Sequence, residues 1–255
     1  MTLFYFIADN RTQANILEQS GIKNVAVSYK FVKKNIKDFR KRFSGVILNT
    51  GSGARKFEAE EYYNFVKENK DNYNMALQYD EPGEIRRTMS YYHMALERDI
   101  NVVPILHEDY EVAINFIRPI LRSNTIALGK GLGIEEEDKG YNSLDRQYSY
   151  HGLAKARWLK QEKPPLSVDS STWLNPVRNG KLQLRTNDGY EEVHVTDYGA
   201  IQDSMDLCKD YVKKCNLSFL EIKFGRHEGL LKASLALHYL PLFDELHIYD
   251  KNVNP

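Results

Sequence analysis

Short apolar runs separated by longer amphipathic stretches recur along the chain, and this rhythm limits its possible folds more than any other feature. The runs Leu3–Ala8, Val25–Ser28, Val46–Asn49, Asn74–Asp80, Val102–His107, Thr125–Gly129, Ser167–Ser170, Phe219–Phe224 and Glu245–Tyr249 read as strands. Several are apolar without alternation, which suits strands covered on both faces of a parallel sheet. Ala59–Asn69, Glu84–Arg98, Asp109–Leu121, Ser149–Gln161, Ile201–Cys215 and His227–Leu240 read as helices. In the second of these, Ile85, Met89, Tyr92 and Leu96 fall at helical spacing; in the third, Pro119 is expected to kink or end the helix. Strand, helix, strand is the succession of βαβ units with right-handed crossovers. Eight or nine strands favour a closed TIM-like (β/α)8 barrel over an open doubly wound sheet, as one domain spanning 1–255. Two stretches break the rhythm. Gly131–Arg146 reads as a long loop, and Asn179-Gly180 and Asp188-Gly189 predict a small hairpin inserted within 175–198.

A net charge of +0, from 35 basic and 35 acidic residues, argues against a broad non-specific nucleic-acid binder but leaves room for a local patch. One basic stretch stands out, with Lys30, Lys33, Lys34, Lys37, Arg40, Lys41 and Arg42. It fits a solvated helix face, and it also fits contact with a phosphate backbone. Cys208 and Cys215 are about two helical turns apart, too far for an easy disulfide. No cysteine cluster suggests a structural zinc, and the pattern fits a reducing, cytoplasmic setting. The opening MTLFYFIADN has no basic lead and reads as a strand, not a signal peptide. No run nears the roughly 18 apolar residues that span a membrane. The 17 tyrosines suit core and rim positions, or stacking on bases.

Three expected strands end alike. Val46-Ile47-Leu48 runs into Asn49-Thr50-Gly51-Ser52-Gly53, Met75-Ala76-Leu77 into Gln78-Tyr79-Asp80-Glu81, and Ser167-Val168 into Asp169-Ser170-Ser171-Thr172. In a parallel barrel such ends converge on one face, where active sites form. Asp169 suits a nucleophile toward an anomeric carbon, and equally a helix cap. Asp80 and Glu81 suit recognition of base N–H groups, acid–base work, or capping. His107 and His151 are further candidates, without metal-site spacing. Trp173 fits packing beneath the loop or stacking on a base. Arg178 and Lys181 add donors suited to phosphate oxygens.

These segments, in this order, resemble the tRNA-guanine transglycosylases, and most closely their relatives that insert deazaguanine bases into DNA. The likeness runs from about Val46 to Leu184. Val46–Gly53 resembles the family's strand followed by Asp-Ser-Gly, and Asn74–Glu81 its Phe-Asp-Glu segment. Thr125–Gly133 resembles the glycine-rich segment beside the bound base, and His151-Gly152-Leu153 the opening of the next helix. Ser167–Trp173 is similar to the Val-Asp-Ser-Thr-Ser-Trp sequence of the DNA-modifying relatives, and Pro176–Leu182 continues it. The resemblance implies a barrel enzyme, a pentosyltransferase that replaces guanine by a 7-deazaguanine base through a covalent Asp–sugar intermediate. It implies Asp169 as nucleophile, with Asn49 at a second catalytic position. It implies base contacts from Asp80, Gln78, Gly129, Gly131 and His151. Backbone contacts from Arg178, Lys181, Lys30, Lys33, Lys34 and Lys37 follow from charge. The expected partners are nucleic acid, DNA before tRNA, and a free purine-like base; a homodimer or partner protein is left open, and no cofactor, metal or membrane is expected.

Three departures bear on this. Asn49 stands where the family has Asp, and an amide is neither general acid nor base. The family's zinc ligands have no match, which favours the DNA-type relatives. The chain is short for an added RNA-binding domain. Hydrolysis of an N-glycosidic bond and a catalytically silent nucleic-acid-binding module are the competing readings.

Overall fold

In a computed structural model of the protein, residues 2–51, 59–81, 85–107, 110–129, 141, 144, 147–153, 159, 163–224 and 227–246 are described. Strands β1 (Leu3–Ala8), β2 (Asn24–Ser28), β3 (Gly45–Asn49), β4 (Met75–Ala76), β5 (Ile105–Leu106), β6 (Thr125–Leu128), β7 (Ser149–Leu153) and β8 (Ser167–Ser170) form one sheet. Its hydrogen-bonded order is β4-β3-β2-β1-β8-β7-β6-β5. The pairs β2–β3, β3–β4, β5–β6, β6–β7 and β7–β8 are parallel. A parallel bridge between Leu77 and Val103 joins the two ends of that order. Gln78 N donates to Val103 O at 2.9 Å, and Val103 N donates to Ala76 O at 2.8 Å. The order is therefore cyclic, the topology of a (β/α)8 barrel. Every residue of β2 and β8 is buried, as expected of strands covered on both faces of a parallel sheet.

The chain divides into two compact units, residues 1–5 with 24–169, and residues 6–23 with 170–255. In the first lie α2 (Tyr29–Val32), α3 (Ile36–Arg42), α4 (Ala59–Glu68), α5 (Ile85–Glu97) and α6 (Tyr110–Ile117), after α1 (Arg11–Gln19) of the second. α6 ends where Pro119 enters a 3-10 turn, as its fixed φ and missing N–H dictate. One core cluster joins Tyr110, Ala113, Ile114 and Ile117 of α6 to Leu106, Ile126, Leu128 and Tyr150 of the strands. The tyrosine excess resolves into core chemistry. Tyr62, Tyr63, Tyr92, Tyr110 and Tyr141 are fully buried. Tyr62 and Tyr63 donate their hydroxyls to the carbonyls of Leu77 and Tyr91 at 2.6 and 2.9 Å, which removes the cost of burying them.

In the second unit lie α7 (Asn175–Asn179), the hairpin β9 (Lys181–Thr186) and β10 (Gly189–His194), α8 (Tyr198–Leu207), α9 (Lys209–Lys214), α10 (Phe219–Lys223), α11 (His227–Ser234) and α12 (Leu240–Glu245). The hairpin is antiparallel, with Thr186 opposite Gly189. Gly180 caps α7 in the left-handed region, so Asn179-Gly180 ends a helix before the hairpin begins. Trp173 is fully buried; it packs edge-on against Phe6 and donates Nε1–H to Ile7 O at 2.9 Å. It is a packing residue. No helix among the described residues is long and apolar enough to cross a membrane.

Three expectations fail. Phe219–Phe224 is helical where a strand was expected, because Ser218 and Glu221 form a capping box that fixes the first turn. Ser149–Leu153 is a strand, not the start of a helix: its residues pair with β6 and β8 in parallel register, and sheet partners override local propensity. Glu245 closes α12 instead of opening a strand, and 247–249 lie outside the described residues. Most of the loop expected at Gly131–Arg146 lies outside them as well.

Candidate active site

The polar residues expected at strand ends do sit where strands finish. Asn49 closes β3, Gln78 and Asp80 follow β4, His107 follows β5, Gly129 follows β6, and Asp169 lies near the end of β8. Parallel strands end on one face, so these residues share it. β4 and β8 are four steps apart in the cyclic order, which sets Asp80 and Asp169 across the mouth from each other.

Asp80 is gripped at both oxygens. Thr50 Oγ1 donates to its Oδ1 at 3.1 Å, and His107 Nε2 lies 2.9 Å from its Oδ2. An ionised carboxylate only accepts, so the imidazole presents Nε2–H. The ring of His107 needs a glycine beside it, since a Cβ on Gly129 would stand 2.3 Å from its Cε1 and Nδ1. Tyr110 fixes the same glycine by donating to Gly129 O at 2.7 Å. Directly after Thr50, Gly51 turns the chain at φ +79°, a conformation that favours glycine.

The second carboxylate has a different setting. His151 and Ser167 are opposite one another in the β7–β8 register. His151 Nδ1 is 2.9 Å from Ser167 Oγ, and His151 Nε2 is 3.6 Å from Asp169 Oδ2. His151, Ser167 and Asp169 are 3 %, 2 % and 8 % exposed, so this chain of groups is shielded from water.

Asn49 and Gln78 hold buried amide oxygens without a hydrogen-bond partner among the described residues. Gln78 is fully buried, and its amide nitrogen donates to Thr88 O on α5 at 3.0 Å. It anchors that helix to the end of β4 through its nitrogen and leaves only its oxygen for the expected base contact. The buried oxygen of Asn49 can accept a donor from a ligand, but its amide gives no acid–base chemistry. Gly131 lies outside the described residues.

The basic stretch forms α2 and α3 immediately after β2, whose end residue Ser28 pairs with Asn49. Tyr29, Val32, Ile36 and Phe39 are buried while Lys30, Lys33, Lys34 and Lys37 are exposed, with Lys33 3.8 Å from Glu61. In the second unit, Arg178 stands 4.0 Å from Asp9, and Lys181 pairs across the hairpin with Glu192 at 2.6 Å. The charge of Lys181 is thus met within the hairpin, which weakens the expected phosphate contact there.

Sequence reasoning named His107 as a candidate but assigned it no role; its signal was an apolar run ending in a single histidine. Among the described residues no cluster of His, Cys, Asp or Glu is suited to a metal, and Cys208 and Cys215 are buried free thiols. No protein-family model and no curated protein matches the sequence. Among solved structures, the chain is similar to the YdjI aldolase from Escherichia coli K12, with 14% identity, coverage of 95% of this chain and 91% of that chain, and a TM-score of 0.46.

Proposed function

We propose that the protein is a base-exchanging pentosyltransferase acting on guanosine in nucleic acid, DNA in preference to tRNA, and inserting a 7-deazaguanine base. The supporting observation is the pair of carboxylates at opposed strand ends, Asp169 beside His151 and Asp80 held by Thr50 and His107. An oxygen of Asp169 attacks C1′ of the sugar, and the C1′–N9 bond breaks with its electron pair leaving on guanine, which takes up a proton. The incoming base loses a proton, its N9 attacks C1′, and the carboxylate departs. Two inversions give net retention. Asp80 accepts from the adjacent N–H groups of the guanine edge. The target nucleotide must be turned out of its stack to reach such a recessed site. The exposed lysines of α2, α3 and the turn between them, a segment that follows β2 at the same end of the sheet, suit the flanking phosphates.

The test incubates the full chain with guanine-labelled DNA and labelled tRNA, with and without a 7-deazaguanine base, alongside Asp169→Ala. Release that needs the added base and is lost in Asp169→Ala supports exchange. Release without a base assigns hydrolysis. Nucleic-acid binding with no release from either substrate, equal in the two proteins, sinks the enzymatic reading and leaves the silent module, for which Asn49 is the sequence argument.

A further inference from the structure

We infer that His151 is a positioning residue for Asp169, held in its Nε2–H form by that carboxylate while Ser167 donates to its other nitrogen. This rests on the reading of Asp169 as nucleophile, and it gives His151 a role other than contact with the base.

The geometry follows from strand register. Side chains alternate along a strand, so Ser167 and Asp169, two residues apart on β8, project to the same face. His151 lies directly opposite Ser167 on β7. Its ring therefore reaches both groups, with Nδ1 at 2.9 Å from Ser167 Oγ and Nε2 at 3.6 Å from Asp169 Oδ2. A neutral imidazole has one donor and one acceptor nitrogen. If Nδ1 held the proton, the Nε2 lone pair would face carboxylate lone pairs. With the proton on Nε2, the ring offers N–H to Asp169, and the Ser167 hydroxyl donates to Nδ1. Only the second arrangement makes both contacts attractive, so the carboxylate selects it and the hydroxyl, which can donate or accept, turns to donate. The edge of Tyr5, with ring centroids 6.4 Å apart, packs against the imidazole and helps fix its plane.

The consequence is chemical. An N–H on Oδ2 orients the carboxylate so that its other oxygen is free to attack C1′. It also meets the negative charge that returns to the carboxylate when the incoming base displaces it. At 3.6 Å the contact is electrostatic, beyond the range of a formed hydrogen bond. His151 adjoins the nucleophile and not the departing base, which leaves opposite the attacking oxygen, so it is not the group that protonates guanine.

Two measurements on the full chain test this. The first is the imidazole nitrogen spectrum of wild type and Asp169→Ala by NMR. The Nε2–H form is expected in wild type, and a mixture of tautomers in Asp169→Ala; an Nδ1–H form in wild type overturns the relay. The second is steady-state base exchange by His151→Leu, His151→Gln and Ser167→Ala, each checked for folding by thermal melting. His151→Leu should lower kcat by about 10²-fold, the scale of one donor removed from a developing anion, with KM for the free base unchanged. His151→Gln, which restores an N–H, should recover part of that loss. A folded His151→Leu with wild-type kcat, or a loss confined to the KM of the base, overturns the role. A wild type that releases no guanine overturns base exchange itself, and the tautomer measurement still decides the relay.

Discussion

His107 Nε2 lies 2.9 Å from Asp80 Oδ2, although the two residues are 27 positions apart and leave different strands. With Thr50 on the other oxygen, this pairing gives Asp80 one orientation before any ligand arrives. Preorganised acceptors discriminate because a wrong edge leaves them unpaired. Asp80→Asn replaces one acceptor oxygen by an amide donor. We expect the KM of the incoming base to rise by about 10- to 100-fold, the scale of about 1–3 kcal/mol for a polar group left unpaired, and His107→Ala to raise it less. Steady-state titration of the base checks this, and unchanged KM in both variants would remove Asp80 from base reading.

Gly129→Ala is the sharpest probe of that arrangement. Its Cβ would fall 2.3 Å from the His107 ring, so the imidazole must leave Asp80 or the strand end must shift. Overpacking of this kind costs about 1–3 kcal/mol of stability. Denaturant midpoints should show that loss. Kinetics should show the same raised base KM as His107→Ala, since both changes take the imidazole away from Asp80. A variant with normal stability and KM would mean that the ring has room to move aside without leaving the carboxylate.

The lysines of α2, α3 and the turn between them make a separable prediction. Replacing Lys30, Lys33, Lys34 and Lys37 together by Gln should weaken nucleic-acid binding at every sequence and leave the KM of the free base alone. For every phosphate that these side chains neutralise in the wild type, the slope of log K against log salt should flatten by roughly 0.9 for duplex DNA. Binding isotherms over a salt series check it, and an unchanged slope would assign these side chains to ordinary solvated helix faces.

Stability should respond to pH through His238. Burial lowers its pKa from 6.5 to about 4, because the charged imidazolium loses hydration there. The unfolded chain then binds more protons than the folded one between these values. The contribution is complete above pH 6.5 and is lost as pH falls toward 4. Urea midpoints should decline over that window, and His238→Phe should flatten the decline. An identical pH profile in the variant would assign acid sensitivity to other groups.

Local chemistry along the chain was enough to establish the succession of buried strands and amphipathic helices, the small hairpin, and a set of polar residues at strand ends. Those rest on periodicity, turn residues, and the change from apolar to polar at Asn49, Asp80 and Asp169. Where two local signals compete, pattern alone misleads. Phe219–Phe224 has a strand-like composition, yet the Ser218–Glu221 capping box makes it a helix. Ser149–Leu153 opens a stretch whose pattern reads as a helix, yet β6 and β8 pair with it as a strand. Which polar residues work together was settled by the packed fold alone. It joined His107 to Asp80 and filled the side-chain space of Gly129 with the imidazole. It turned Gln78 toward α5, and set His151 between Ser167 and Asp169 through a parallel register that no residue carries alone. Register is a property of strand pairs, and a hydrogen bond between side chains 16 or 27 positions apart exists only once the strands that carry them are aligned.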